Sequence, residues 1–193
     1  MKKSSIILIV IAVLAVIWGV SAYNGLVTMD ENVNTEWANV ETQYQRRADL
    51  IPNLVNTVKG YAAHESETLE SVIAARSKAT QITIDPANLT PEKLAEYQEA
   101  QGAVTSALGK LLAISESYPD LKANQNFLEL QAQLEGTENR INEARRKFNN
   151  VAKEYNTAIR RFPKSILAGM LGFDKRAYFE AAEGAQNAPV VAF

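Results

Sequence analysis

The chain has 193 residues, of which 47% are hydrophobic and 22% charged; its formal net charge is −2, it has no cysteine and its one histidine is His64. That size suits one domain with an appendage, and the composition is that of a folded chain. Without cysteine or a second histidine, a single chain offers no disulfide framework, thiolate nucleophile, Cys-type zinc site or multi-His metal site.

The first predicted element is an anchor. Ile6, Ile7, Leu8, Ile9, Val10, Ile11, Val13, Leu14, Val16, Ile17, Trp18 and Val20 belong to a fifteen-residue stretch without a charged group. With Ser4, Ser5, Ser21 and Ala22 it spans roughly 28 Å as a helix, against a hydrocarbon core of roughly 30 Å. Trp18 and Tyr23 fall near its far end, where amphipathic rings favour the lipid–water interface. We expect residues 1–5 as a short tail and 6–23 as a single transmembrane helix with membrane lipid as its partner. A cleaved signal peptide is the competing reading, with Lys2 and Lys3 as its basic start and Val20-Ser21-Ala22 as its cleavage pattern. Lys2 and Lys3 precede the span, Asp30, Glu31 and Glu36 follow it, and no further basic residue appears before Arg46. The positive-inside rule then puts the N-terminus in the cytoplasm and the remaining domain outside. Beyond the anchor, 18 of the 20 basic residues stand against all 22 acidic ones, a balance that argues against a nucleic-acid partner.

Residues 24–162 read as helical. Val33, Trp37, Val40, Tyr44, Arg47, Ile51, Leu54, Val58 and Tyr61 keep helical spacing, which continues less cleanly through Leu69, Val72, Ala75 and Ala79. Pro52 either starts a new helix there or kinks a long one. Thr83 to Thr90 reads as a loop, with a weak β tendency at Ile82-Thr83-Ile84. Thr90-Pro91-Glu92 is a helix start, and Leu94, Tyr97, Gln101, Val104, Leu108 and Leu111 mark the inner face that follows. Pro119 stops this helix near Ser117.

The third segment has the clearest period. Phe127, Leu130, Leu134, Thr137, Ile141, Ala144, Phe148, Val151, Tyr155, Ala158 and Phe162 alternate steps of three and four, a coiled-coil-like seam about 50 Å long that ends at Pro163. The fold class is all-α: a single membrane helix, then an antiparallel bundle of three long helices, and a short C-terminal helix within 163–180. Residues 181–193 form an Ala-rich tail.

The stretch from Tyr23 (YNGLV) through Val33 and Trp37 to Arg46-Arg47-Ala48-Asp49-Leu50-Ile51-Pro52-Asn53-Leu54-Val55, then Val58-Lys59-Gly60-Tyr61 and His64-Glu65, closely resembles the LemA family. The resemblance resumes at Glu116 to Asn124 (ESYPDLKAN), at Thr137 to Ile141 (TENRI), at Ala144-Arg145, and at Phe148-Asn149 and Tyr155-Asn156. Phe148 stands where the family motifs usually carry tyrosine, which keeps the ring and loses a hydroxyl. The resemblance implies a short N-terminal tail, one membrane helix and an antiparallel helical domain, in a family with no established enzymatic activity; the expected location is a bacterial inner membrane. It also implies relatives that build magnetosome membranes and others that travel with membrane proteases.

The polar residues inside apolar faces are Arg46, Arg47 and Asp49 on the first bundle helix, and Glu138, Arg140 and Arg145 on the third. Antiparallel packing brings Arg47 within reach of Glu138, and a structural network that fixes helix register is the expected role. The competing reading is a recognition patch. His64-Glu65 is half of a zinc-protease motif, but position 68 is threonine, and Glu65, Glu67 and Glu70 read as a solvated face. We expect no catalytic residues, no metal and no cofactor.

After Pro163, the apolar cluster Ile166, Leu167, Met170, Leu171 and Phe173 lies between Arg160, Arg161 and Lys164 on one side and Lys175 and Arg176 on the other. It suits a fold-back over the bundle, a membrane surface or a neighbouring subunit. Charge is polarised as well: Arg140 to Lys164 is basic and Glu65 to Glu99 acidic, a pattern that either neutralises itself by antiparallel packing within one molecule or joins subunits side by side. The expected function is a self-assembling membrane scaffold. The alternative is an adaptor for another membrane protein, such as a protease or sensor.

Overall fold

The computed structural model describes residues 3–180, and among them all regular structure is helical. Helix α1, Lys3–Lys59, is a single element of 57 residues, about 85 Å long at 1.5 Å per residue. From Ile6 to Val20 its large apolar side chains are exposed on every face. Burial then begins at Ala22 and recurs at Leu26, Val33, Trp37, Val40 and Tyr44, one stripe of a helix entering a core.

Pro52 does not end α1. Proline has no N–H to give the carbonyl four residues back, so the Ala48 oxygen loses its helical donor. Arg76 Nε, on α2 (Ser66–Gln81), donates to that oxygen at 2.7 Å. The chain reverses instead at residues 60–65, where Gly60 N donates to Thr57 O (3.2 Å) and Ala62 N to Val58 O (2.8 Å). The run from Val33 to Ala79, expected to kink or divide at Pro52, is continuous there and divides at residues 60–65 into two antiparallel helices. Val58 and Leu69 are eleven residues apart, about three full turns, so the apolar period stays in phase across the reversal and hides it.

Residues 82–90 connect α2 to α3 through the short turn Pro86–Asn88, and Ile84 and Leu89 are buried with no strand between them. Helix α3, Pro91–Ile114, starts as expected, with Lys93 N donating to Thr90 Oγ1 (3.3 Å). The one-turn α4, Pro119–Lys122, leads to α5, Gln125–Arg160, whose first turn is capped by Phe127 N donating to Asn124 Oδ1 (3.0 Å). Helices α1 and α3 run away from the anchor, and α2 and α5 return. The result is a four-helix up-down bundle, one long helix more than expected.

The core has two parts. Near the anchor it is aromatic: Trp37 lies 5.4 Å from Tyr97, 5.7 Å from Phe148 and 5.9 Å from Phe179 between ring centres. Such pairs contribute about 0.5–1.5 kcal/mol each beyond their burial. Farther out the core is mainly aliphatic, around Ile51, Leu54, Val58, Val72, Val104 and Leu111. Most of the seam on α5 is buried, with Leu130 and Val151 half-buried. Phe162 is not part of it: the helix ends at Arg160 and Phe162 is 82% exposed. The following proline disfavours helical geometry at that residue.

Residues 163–180 are helical only in α6, Lys164–Leu171, which stops at Gly172 in the left-handed region (φ 74). Residues 173–180 are extended and run back along α5 as a strap. Asn156 Nδ2 donates to Arg176 O (2.8 Å) while Arg176 N donates to Asn156 Oδ1 (2.8 Å). Asn149 makes the same pair of bonds, both 2.9 Å, with Phe179. Seven residues of helix rise about 10.5 Å and three extended residues cover about 10 Å, so two asparagines one heptad apart match strap positions three apart. The expected tail, 181–193, lies outside the described residues, as do residues 1 and 2.

Candidate functional site

The polar residues singled out on α1 and α5 do not form one network. Arg47, only 3% exposed, is held on all sides. Nη1 donates to Thr105 Oγ1 (2.8 Å) and Glu138 Oε2 (3.0 Å), and Nη2 to Gln101 O (3.0 Å) and Gln101 Oε1 (2.7 Å). The guanidinium also lies 5.1 Å over the Tyr44 ring. One cation thus ties α1 to both α3 and α5. Glu138 remains 41% exposed, so the neutral α3 acceptors carry most of the buried pairing. Thr105 was not singled out in the sequence, and Gln101 was visible only as a polar residue within an apolar stripe.

Arg46, Asp49 and Arg140 stand at the surface, with Asp49 accepting from Gln45 Nε2 (2.7 Å). Arg145 belongs to the strap: its guanidinium stacks 4.8 Å from the Phe179 ring and donates to Glu180 O (3.1 Å). Arg176, a basic residue flanking the apolar cluster, is buried. It bonds Asp30 Oδ1 (2.7 Å) and Pro86 O (2.5 Å), which joins strap, α1 and the 82–90 connection. The recurrence of asparagine after an aromatic at Phe148-Asn149 and Tyr155-Asn156 was the available signal for the strap.

A cleft of about 670 Å³ opens between α1, α2 and α3, lined by Arg46, Arg47, Arg76, Tyr97 and Gln101 among others. Its two inner guanidiniums, Arg47 and Arg76, already have protein acceptors. Burial pushes the Glu41 carboxyl at its rim above the usual carboxylate range and holds the Tyr44 and Tyr97 phenols above theirs. His64 is exposed in the 60–65 turn, and no group of three or more His, Cys, Asp or Glu converges among the described residues.

The anchor-proximal end of the bundle has a different character. Ile166, Met170 and Leu171 of α6 are exposed, Met170 by 76%, whereas Leu167 and Phe173 are half-buried. Phe173 packs edge-on against Tyr23 with ring centres 6.0 Å apart. A groove of about 780 Å³ lies between Trp18 and Met29 of α1 and the junction of α5 with α6.

Together these features define a helical-bundle protein carried on an N-terminal helix that is long and apolar enough to cross a membrane. The chain belongs to the LemA family, whose model matches residues 36–193. It is 29% identical to the magnetosome protein MamQ of Magnetospirillum gryphiswaldense over 88% of this chain and 68% of that protein. It is 28% identical to MamQ 2 of Paramagnetospirillum magneticum over 95% of this chain and 75% of that one. A similar likeness, 27%, joins 75% of it to 62% of Protein LemA of Metamycoplasma hominis.

Proposed function

We propose that this protein is a non-enzymatic scaffold that spans the membrane once, N-terminus in the cytoplasm, and assembles side by side with copies of itself to organise the membrane beneath it. The observation that carries this reading is a separation of charge between two faces: Arg146 pairs with Glu143 on its own helix, but the basic and acidic sets do not neutralise one another. Arg140, Arg146, Lys147, Lys153 and Arg160 are exposed on α5, and Glu67, Glu70, Glu92, Glu96 and Glu99 are exposed on α2 and α3. Among the described residues, no ion pair joins the two sets. Opposite faces of opposite charge suit head-to-tail contacts, which close into rings or continue as arcs. Confinement by the span raises effective concentration, so weak lateral interfaces suffice. Membership of the LemA family and relatives named as magnetosome proteins support the membrane-associated part of the reading.

Mass photometry and negative-stain imaging of the full chain, extracted from membranes in detergent, test the proposal. Discrete multimers are the expected result. A strict monomer at micromolar concentration overturns self-assembly and favours the adaptor reading, in which the polarised faces serve a different membrane protein.

A further inference from the structure

We propose that the groove where α1 meets the α5–α6 junction binds the headgroup of an anionic phospholipid, with Lys153, Arg161 and Lys164 facing its phosphate. The proposal rests on the membrane-spanning reading of α1, because that reading sets the depth. The apolar span ends by Tyr23, and the headgroup layer extends about 5–8 Å beyond the hydrocarbon on each side. Gly25 is two residues farther along, about 3 Å of helix rise. Two proximities place the ends of α6 at that level: Lys164 Nζ lies 3.9 Å from the place a Cβ on Gly25 would take, and the Phe173 ring, two residues past α6, meets Tyr23. The groove runs from Trp18, within the span, to Met29, about 9 Å beyond Tyr23, and so crosses the headgroup layer.

Its lining matches a phosphate-bearing lipid from top to bottom. Trp18 and Phe162 supply apolar surface at the lower edge, and Lys153, Arg161 and Lys164 supply three cations against one carboxylate, Glu154. None of these three cations takes part in an ion pair among the described residues. At about 780 Å³ the groove has room for a headgroup. Beside it, Ile166, Met170 and Leu171 present exposed apolar side chains next to basic ones, the composition of a segment lying in the interface. A soluble partner would have to compete with the bilayer for this surface; a phospholipid is already there.

The test uses the full wild-type chain in phosphatidylcholine vesicles carrying a small fraction of brominated lipid, read by tryptophan quenching. Trp18 lies at the groove, whereas Trp37 is about 28 Å farther along α1 and gives a constant background. Brominated phosphatidylglycerol should quench more than the same fraction of brominated phosphatidylcholine. The variants Lys153→Gln, Arg161→Gln and Lys164→Gln should each weaken the preference, about fivefold per cation removed, and the triple variant should abolish it. Equal quenching by the two brominated lipids overturns the site, as does a preference that survives the triple variant. Reversal by inorganic phosphate at constant ionic strength points to a free-anion site and also overturns it. Quenching by neither lipid is a separate failure, because it removes the membrane-spanning reading itself.

Discussion

Arg47 shows how a buried charge is tolerated by being satisfied from several helices. Replacing it with alanine strands the buried Gln101 Oε1, while Gln101 O keeps Thr105 Oγ1 as a donor (3.2 Å), a loss of about 1–3 kcal/mol. Glu138→Ala should cost less than about 1 kcal/mol, since its carboxylate is partly solvated and Arg47 keeps its α3 acceptors. Chemical denaturation of the two variants checks this asymmetry; equal losses would show that the ion pair dominates. The Arg47–Glu138 approach was readable from antiparallel spacing alone. The α3 acceptors were not, because Gln101 sits on an otherwise apolar stripe and only packing reveals what it faces. The phenols give a second residue-level expectation. Burial and the Asp30 carboxylate push Tyr155 up to about 12, and Tyr44 and Tyr97 are also raised, chiefly by burial. The folded chain therefore holds protons that the unfolded chain releases near pH 10. Stability from these groups is intact below pH 10 and falls as pH rises from there toward 12 and beyond. Denaturation midpoints across that range should fall less steeply for Tyr155→Phe than for wild type.

At the scale of elements, two devices replace hydrogen bonds that regular structure lacks. One repairs the gap at Pro52, where Arg76 donates to the Ala48 carbonyl. Arg76→Ala should destabilise by about 1–3 kcal/mol by stranding that oxygen. In a Pro52→Ala background the residue 52 N–H returns to Ala48, so the same substitution should cost clearly less. A double-mutant cycle that shows no coupling refutes the repair. The other device is the strap. Asn156→Ala removes both of its bonds to Arg176, and Asn149→Ala both of its bonds to Phe179. Either substitution should strip hydrogen-exchange protection from residues 173–180 while α1–α5 stay protected. The start of α3 was legible because its signals are local: hydroxyl, proline and carboxylate within three residues. The persistence of α1 through Pro52 was not, since its donor comes from 24 residues later. The strap was equally hidden, because an extended segment bonded by asparagine side chains has no period of its own.

For the molecule as a whole, the charged faces set the experiment. Reversing Arg140 and Lys147 to glutamate should abolish the multimers expected in mass photometry, and adding Glu96→Lys and Glu99→Lys, which lie at a similar height on α3, should restore them. Rising ionic strength should weaken assembly, because exposed charges are screened beyond about 10 Å at 0.1 M salt. Multimers indifferent to both changes would require a different interface. The overall architecture was largely legible from the sequence, since a bilayer-length apolar run and helical periods carry it. Which faces remain outward was not, because that depends on how the four helices pair.

The absence of any joint between span and bundle has a mechanical consequence. Helix α1 is one rod from Lys3 to Lys59, and its bundle part reaches about 55 Å from Tyr23. A span near the hydrocarbon thickness answers thicker or thinner bilayers partly by changing its tilt. With no hinge to absorb that change, a tilt of about 10° carries the far end of the bundle sideways by nearly 10 Å. Local bilayer thickness would thus be transmitted as the lean of the rod, and in the proposed assembly it would change the spacing of adjacent copies.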